Sequence, residues 1–195
     1  MSLNLSFNVS SRKGKLDVDL VFVSKNFHVD YSLIEKNVRK VLEYTLKRYQ
    51  GRVVLVYGDL CLGQDNEMKR LAEEYAVVKI DALNCIDCQL GGKGKFEDAD
   101  PEYKLMFMSV GMIEFFKDMK TQLTKQGIDE DTFKKMFSGI DGFVILDTVD
   151  TTEECRHELE KLNVGVRVIE TRKIGVEPVH QVIMEAIEKL RKKKC

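Results

Sequence analysis

The sequence predicts an α/β fold: a single Rossmann-like three-layer domain with a mostly parallel sheet and an N-terminal β-hairpin. Two observations carry this expectation. Short, nearly all-apolar runs such as Val53–Tyr57, Leu105–Met108 and Phe143–Leu146 alternate with longer amphipathic stretches. Runs of that kind are strands buried on both faces, as in parallel sheets covered by helices. The chain has 195 residues, 44% of them hydrophobic, which is enough for one substantial core and for a single domain spanning 1–195.

The elements follow in order. Leu3, Leu5, Phe7 and Val9 alternate with polar residues, as do Leu16, Val18, Leu20 and Phe22. Period two on both sides of Ser10–Gly14 reads as a hairpin arm over residues 1–23, whose second strand enters the main sheet at Leu20–Val23. Ile34, Val38, Val41, Leu42, Thr45 and Tyr49 form one helical face, with Ser32-x-x-Glu35 as a capping box and Gly51 as the stop. Strand Val53–Tyr57, a helix from Asn66 to Tyr75 and strand Val77–Ile80 come next. Strand Leu105–Met108 leads into a helix capped by Ser109 and ending near Gly127. A short helix over Asp131–Phe137 precedes strand Phe143–Leu146. Thr151-x-x-Glu154 opens a helix, Val164–Ile169 is the last strand, and Pro178 begins a closing helix with Val182, Ile183, Ala186, Ile187 and Leu190 inward. Right-handed crossovers bring the strand carboxyl ends to one edge of the sheet.

Composition narrows the function classes. A formal net charge of −1 argues against general binding to nucleic acid or anionic membranes. The basic tail at 191–195 ends an amphipathic helix and complements its negative end. Met1–Ser10 is polar and alternating, unlike a signal peptide, and no apolar run approaches the roughly 18–20 residues that span a bilayer. The expectation is a cytoplasmic protein whose five cysteines are free, metal-bound or catalytic rather than disulfide-paired. A hairpin edge and exposed amphipathic helices allow a homodimer.

The chemistry gathers where open α/β sheets place ligands, beyond the strand carboxyl ends. Cys61 closes Tyr57-Gly58-Asp59-Leu60-Cys61, and Cys85 and Cys88 stand in Asn84-Cys85-Ile86-Asp87-Cys88. Three thiolates could take three corners of a zinc site or hold an iron–sulfur cluster with one open iron. The Cys85/Cys88 pair could instead exchange as a redox couple, its thiols acidified at a helix N-terminus. Asp87 between them opposes a second negative charge, and inert packing of all three thiols is the remaining alternative.

Gly91, Gly92, Lys93 and Gly94, followed by Lys95, offer a backbone nest with added positive charge for an anionic small molecule or cofactor. The spacing is neither a P-loop nor a dinucleotide fingerprint. Asp59, Asp81 and Asp147 end strands and read as solvated or ligand-orienting. His28 lies in a loop near the same edge, whereas His157 and His180 read as surface residues. Cys155 shares a helical stripe with Leu159 and Leu162 and reads as core.

The two motifs, Tyr57-Gly58-Asp59-Leu60-Cys61 and Asn84-Cys85-Ile86-Asp87-Cys88-x-Leu90-Gly91-Gly92, resemble those of an uncharacterised domain family of methanogens and anaerobic bacteria. The resemblance covers roughly residues 17–190. That family is often found beside corrinoid-dependent methyltransferase systems, so the resemblance implies zinc-thiolate or corrinoid chemistry in methyl-transfer metabolism. It carries over Cys61 and Cys85, and Cys88 less firmly. It names no reaction.

Overall fold

The computed structural model describes residues 4–11, 14–23, 31–50 and 52–193. The turn expected at Arg12–Lys13, the stop at Gly51, and His28 and Cys195 lie outside the described residues. The chain divides into two compact units, residues 1–50 and 51–195.

In the first unit, β1 (Asn4–Ser11) runs antiparallel to β2 (Gly14–Val21), with Asn4 opposite Val21 and Ser11 opposite Gly14. Helix α1 (Tyr31–Tyr49) follows. Its stripe is the expected one: Ile34, Val38 and Leu42 are buried, and so is the polar Thr45. The Thr45 hydroxyl donates to the Val41 carbonyl one turn back, which satisfies it without a partner outside the helix. Lys47 and Arg48 in the last turn complement the helix dipole.

The second unit is mixed α/β with two parallel sheets. β3 (Val54–Leu55) pairs with β4 (Val78–Lys79), and α2 (Glu67–Glu74) lies between them in sequence with Met68, Leu71 and Ala72 buried. β5 (Leu105–Met108), β6 (Gly142–Asp147) and β7 (Val168–Lys173) form the second sheet, in that order. The central strand β6 is buried along its whole length, as a strand covered on both faces must be.

Alternation along β5 and β6 feeds two clusters. Met108, Phe143 and Ile145 pack with Ile113 and Phe116 of α5 (Val110–Lys125), Phe133 of α6 (Glu130–Lys135) and Cys155, Leu159 and Leu162 of α7 (Thr152–Leu162). Phe107, Val144 and Leu146 pack instead with Ile86 of α3 (Cys85–Leu90) and with Phe96 and Ala99 of α4 (Lys95–Ala99). A third cluster joins Val78, Ile80, Ala82 and Cys88 to Val182 and Ala186 of the closing helix α8 (Glu177–Lys192). Helix α3 therefore faces both sheets, with Ile86 toward one and Cys88 toward the other. The parallel strands form two ladders rather than the one expected.

Several strands depart from the sequence expectation: among the described residues β2 pairs with β1 and not with the parallel strands, and Val77–Ile80 contracts to the two residues of β4. Val53–Tyr57 contracts to two paired residues. The last strand is not Val164–Ile169 but Val168–Lys173. Val164 is 4% exposed and belongs to the helical cluster. Gly165 takes φ +80°, which turns the chain out of an extended path before pairing starts at Val168 opposite Phe143. β7 ends the sheet order, so Glu170, Arg172 and Lys173 are tolerated on it and discourage further pairing. Among the described residues, no helix is long and apolar enough to cross a membrane.

Candidate functional site

The site is built by a close approach of two backbones. Asp59 N–H donates to the Ala82 carbonyl at 2.9 Å and Leu60 N–H to the Leu83 carbonyl at 2.8 Å. Gly58 lies against this second segment, and a Cβ there would come within 2.5 Å of the Leu83 oxygen. Only glycine lets the loops after β3 and β4 meet so closely. A short 3-10 turn over Asp59–Cys61 then places Cys61, and α3 begins at Cys85 with Asn84 as its N-cap, the Asn84 Oδ1 accepting from Asp87 N–H at 2.9 Å. A negative charge on Cys61 is felt at both Cys85 and Cys88. The Cys85 Sγ also lies 3.8 Å from the Sδ of Met112, in the first turn of α5 just beyond β5.

The three thiols occupy different settings. Cys85 is exposed at the rim, Cys61 is half-buried, and Cys88 is 7% exposed inside the cluster of Val78, Ile80, Ala82, Val182 and Ala186. Among the described residues, no three His, Cys, Asp or Glu side chains form a group that could hold a metal ion. The expected convergence of Cys61, Cys85 and Cys88 is thus not assembled, because Cys88 is spent on apolar packing between α3, β4 and α8.

The electrostatics also run against the acidified-thiol expectation. Although the residue as a whole is exposed, the Cys85 sulfur lies against Met112, and lost hydration there, reinforced by Cys61, pushes the thiol up to about 11. Burial likewise raises Cys61, against the opposing pull of the Gly58 backbone and Lys79, and raises Cys88, where Asp87 and Cys61 add to it. Tyr57 is pushed up to about 12, by burial first and Cys61 second. Six residues of helix supply too little dipole to offset this desolvation. The expected result is that alkylation of Cys85 by a maleimide is slow at neutral pH and climbs toward a midpoint near about 11. A rate already at its plateau at pH 8 would show a stabilised thiolate instead. The sign for stability follows: the neutral thiol is favoured by folding, so its contribution is intact below the unfolded value of 9.0 and fades as pH rises toward about 11.

Strand-end charges are used internally. Lys79 Nζ lies 2.8 Å from Asp59 Oδ1, both side chains nearly buried, and also donates to the Tyr57 and Ile80 carbonyls at 3.3 and 2.6 Å. Lys93 reaches the other Asp59 oxygen at 3.7 Å. Asp81 is exposed, with Lys189 at 3.8 Å. Asp147 is buried rather than solvated: it accepts from Thr151 N–H and from the Thr152 hydroxyl, and these bonds, Thr152 first, hold its carboxyl below the usual range. It fastens the start of α7 to the end of β6. His157 and His180 are exposed, and Cys155 is 1% exposed in the core, as the sequence implied.

The glycine loop is organised by a residue whose role the sequence reading missed. Asp87 is fully buried, and its carboxylate accepts from Leu83 N–H at 2.9 Å, Gly94 N–H at 3.1 Å and Phe96 N–H at 2.9 Å. Gly91, Gly92 and Lys93 N–H groups donate to the Cys88, Asp87 and Asp81 carbonyls at 3.2, 2.8 and 2.9 Å. Within Gly91–Gly94 only the Gly94 N–H meets an anion, the chain's own Asp87, and the other three N–H groups are paired with backbone carbonyls. Lys95 pairs with Asp98 at 2.9 Å. The available signal was Asn84-x-x-Asp87, a capping spacing directly before a glycine-rich turn. Asp100, buried and accepting from Lys104 and Leu105 N–H, positions β5 in the same manner and was equally unmarked.

No curated protein and no solved structure matches the chain. A family model described as "Protein of unknown function (DUF1638)" matches residues 22–173, a span that includes both cysteine motifs.

Proposed function

The chain belongs to the DUF1638 family, and from that premise we propose that it binds a thiophilic metal ion at the junction of the loops after β3 and β4, through Cys61 and Cys85. The observation carrying this reading is the junction itself. A glycine-dependent backbone approach holds the segment that ends at Cys61 against the segment that leads into Cys85, beyond the ends of parallel strands. Two neutral thiols held together gain little for folding. Their value comes when an ion displaces both protons to solvent and the thiolate charge is neutralised in place.

Zinc would draw two of its four ligands from this pair. An iron–sulfur cluster would need a third thiolate, and the apolar setting of Cys88 favours a single ion over a cluster. A corrinoid or methyl-transfer context rests on resemblance alone and adds no residue to the site. In the same reading, the two parallel sheets with their helical clusters make a Rossmann-like three-layer body that collects Cys61 and Cys85 at one edge.

Elemental analysis and a UV–visible spectrum of protein purified without oxygen test the proposal. The expected outcome is about one equivalent of thiophilic metal per chain, lost in Cys85→Ser. Full retention in a variant with Cys61, Cys85 and Cys88 all replaced by serine would overturn it.

A further inference from the structure

We infer that Met112 is a third sulfur ligand at the Cys61–Cys85 junction, and that the ion the site selects is a soft monovalent cation of the Cu(I) and Ag(I) class. The inference rests on the reading of Cys61 and Cys85 as a metal site and names its preference.

Three observations support it. The Cys85 Sγ and Met112 Sδ atoms are 3.8 Å apart. Metal–sulfur bonds of about 2.3 Å put two ligands of a trigonal ion about 4 Å apart, so little movement is needed for both sulfurs to grip one ion. Second, Met112 is partly buried at the start of α5, where it packs against both the Phe107–Val144 and the Met108–Phe143 clusters, so its thioether is held by the core rather than swinging in solvent. Third, no histidine, carboxylate or third cysteine completes a group with the two thiols among the described residues. The donor set is two thiols and a thioether, all soft and low in number. Such a set suits Cu(I), whereas zinc sites are completed by imidazole, carboxylate or further thiolate. Binding exchanges two S–H protons for one cation with no change of oxidation state, the metal being supplied already reduced.

The alternative role for Met112 is that of a flexible apolar filler between the two clusters. The test uses the full chain, reduced and anaerobic, titrated with Cu(I) against a chromophoric Cu(I) chelator and, in parallel, with Cd(II). Met112→Leu keeps the volume and apolarity of the side chain and removes only the donor. The expected result is a Cu(I) affinity lowered about tenfold or more by Met112→Leu with Cd(II) affinity within about twofold of the parent, since even outer-shell losses cost about tenfold. Unchanged Cu(I) affinity in Met112→Leu, with both metals lost in Cys85→Ser, overturns the thioether ligand and leaves the thiol site standing. Failure of the parent chain to bind either ion overturns both. Copper-edge X-ray absorption of selenomethionine-substituted protein gives a readout free of any mutation. A selenium neighbour on the copper, absent in Met112→Leu, is expected, and its absence in the parent rejects the ligand.

Discussion

Asp87→Ala lowers the stability of the second unit by about 3–4 kcal/mol, because it strands buried N–H groups that each cost about 1–3 kcal/mol when unpaired. The donors are those of Leu83, before α3, and of Gly94 and Phe96, at the start of α4. The full sum is not reached, since the space left by the carboxylate can admit a water that satisfies part of the set. Asp87→Asn is expected to fall between the two. Its oxygen can serve Leu83 and Gly94, where Oδ2 now accepts twice, but its amide then faces the Phe96 N–H donor to donor. Denaturant unfolding measures the loss, and hydrogen exchange over residues 81–98 locates it. Parent-like protection of the Leu83, Gly94 and Phe96 amides in Asp87→Ala would show that the carboxylate does not organise this loop.

That result bears on how much of the site could be read from the sequence. The strand ends were legible: Cys61 and Cys85 follow β3 and β4 as expected, and β5 matches the expected Leu105–Met108 residue for residue. The composition of the site was less so. Cys88 and Cys85 look equivalent in a C-x-x-C string, yet a three-residue offset on a helix that faces two sheets sends one into the core and leaves the other at the rim. Asp87 between them reads as a surface charge, since nothing local distinguishes a solvated aspartate from one that holds three amides. Met112 was invisible for a different reason, because a methionine in an amphipathic helix is ordinarily filler and only its contact with Cys85 singles it out. The same limit applies to β7. An apolar run at Val164–Ile169 outweighs VIETRK on any pattern count, and only the positive φ of Gly165 and the edge position of the strand reverse the choice.

Gly58→Ala is expected to cost about 3 kcal/mol, at the upper end of overpacking effects, and to lower metal affinity by more than about tenfold. The added methyl would meet the Leu83 oxygen at 2.5 Å, Asn84 Cα at 2.6 Å and Asn84 N at 2.7 Å. All three are backbone atoms, so no rotamer change relieves the clash and the two loops must separate. Separation breaks the bonds from Asp59 and Leu60 to the Ala82 and Leu83 carbonyls, and carries Cys61 away from Cys85. Affinity and stability are therefore lost together, although Gly58 offers no ligand atom of its own. Gly139→Ala is the matched control, because a Cβ there meets nothing within 4 Å and its φ is not in the left-handed region. Titration with Cd(II) and denaturant unfolding of both variants decide the point. Metal affinity in Gly58→Ala equal to that in Gly139→Ala would mean that the approach of these loops does not build the site. A joint loss confined to Gly58→Ala would tie the ion to the close backbone approach that Gly58 permits.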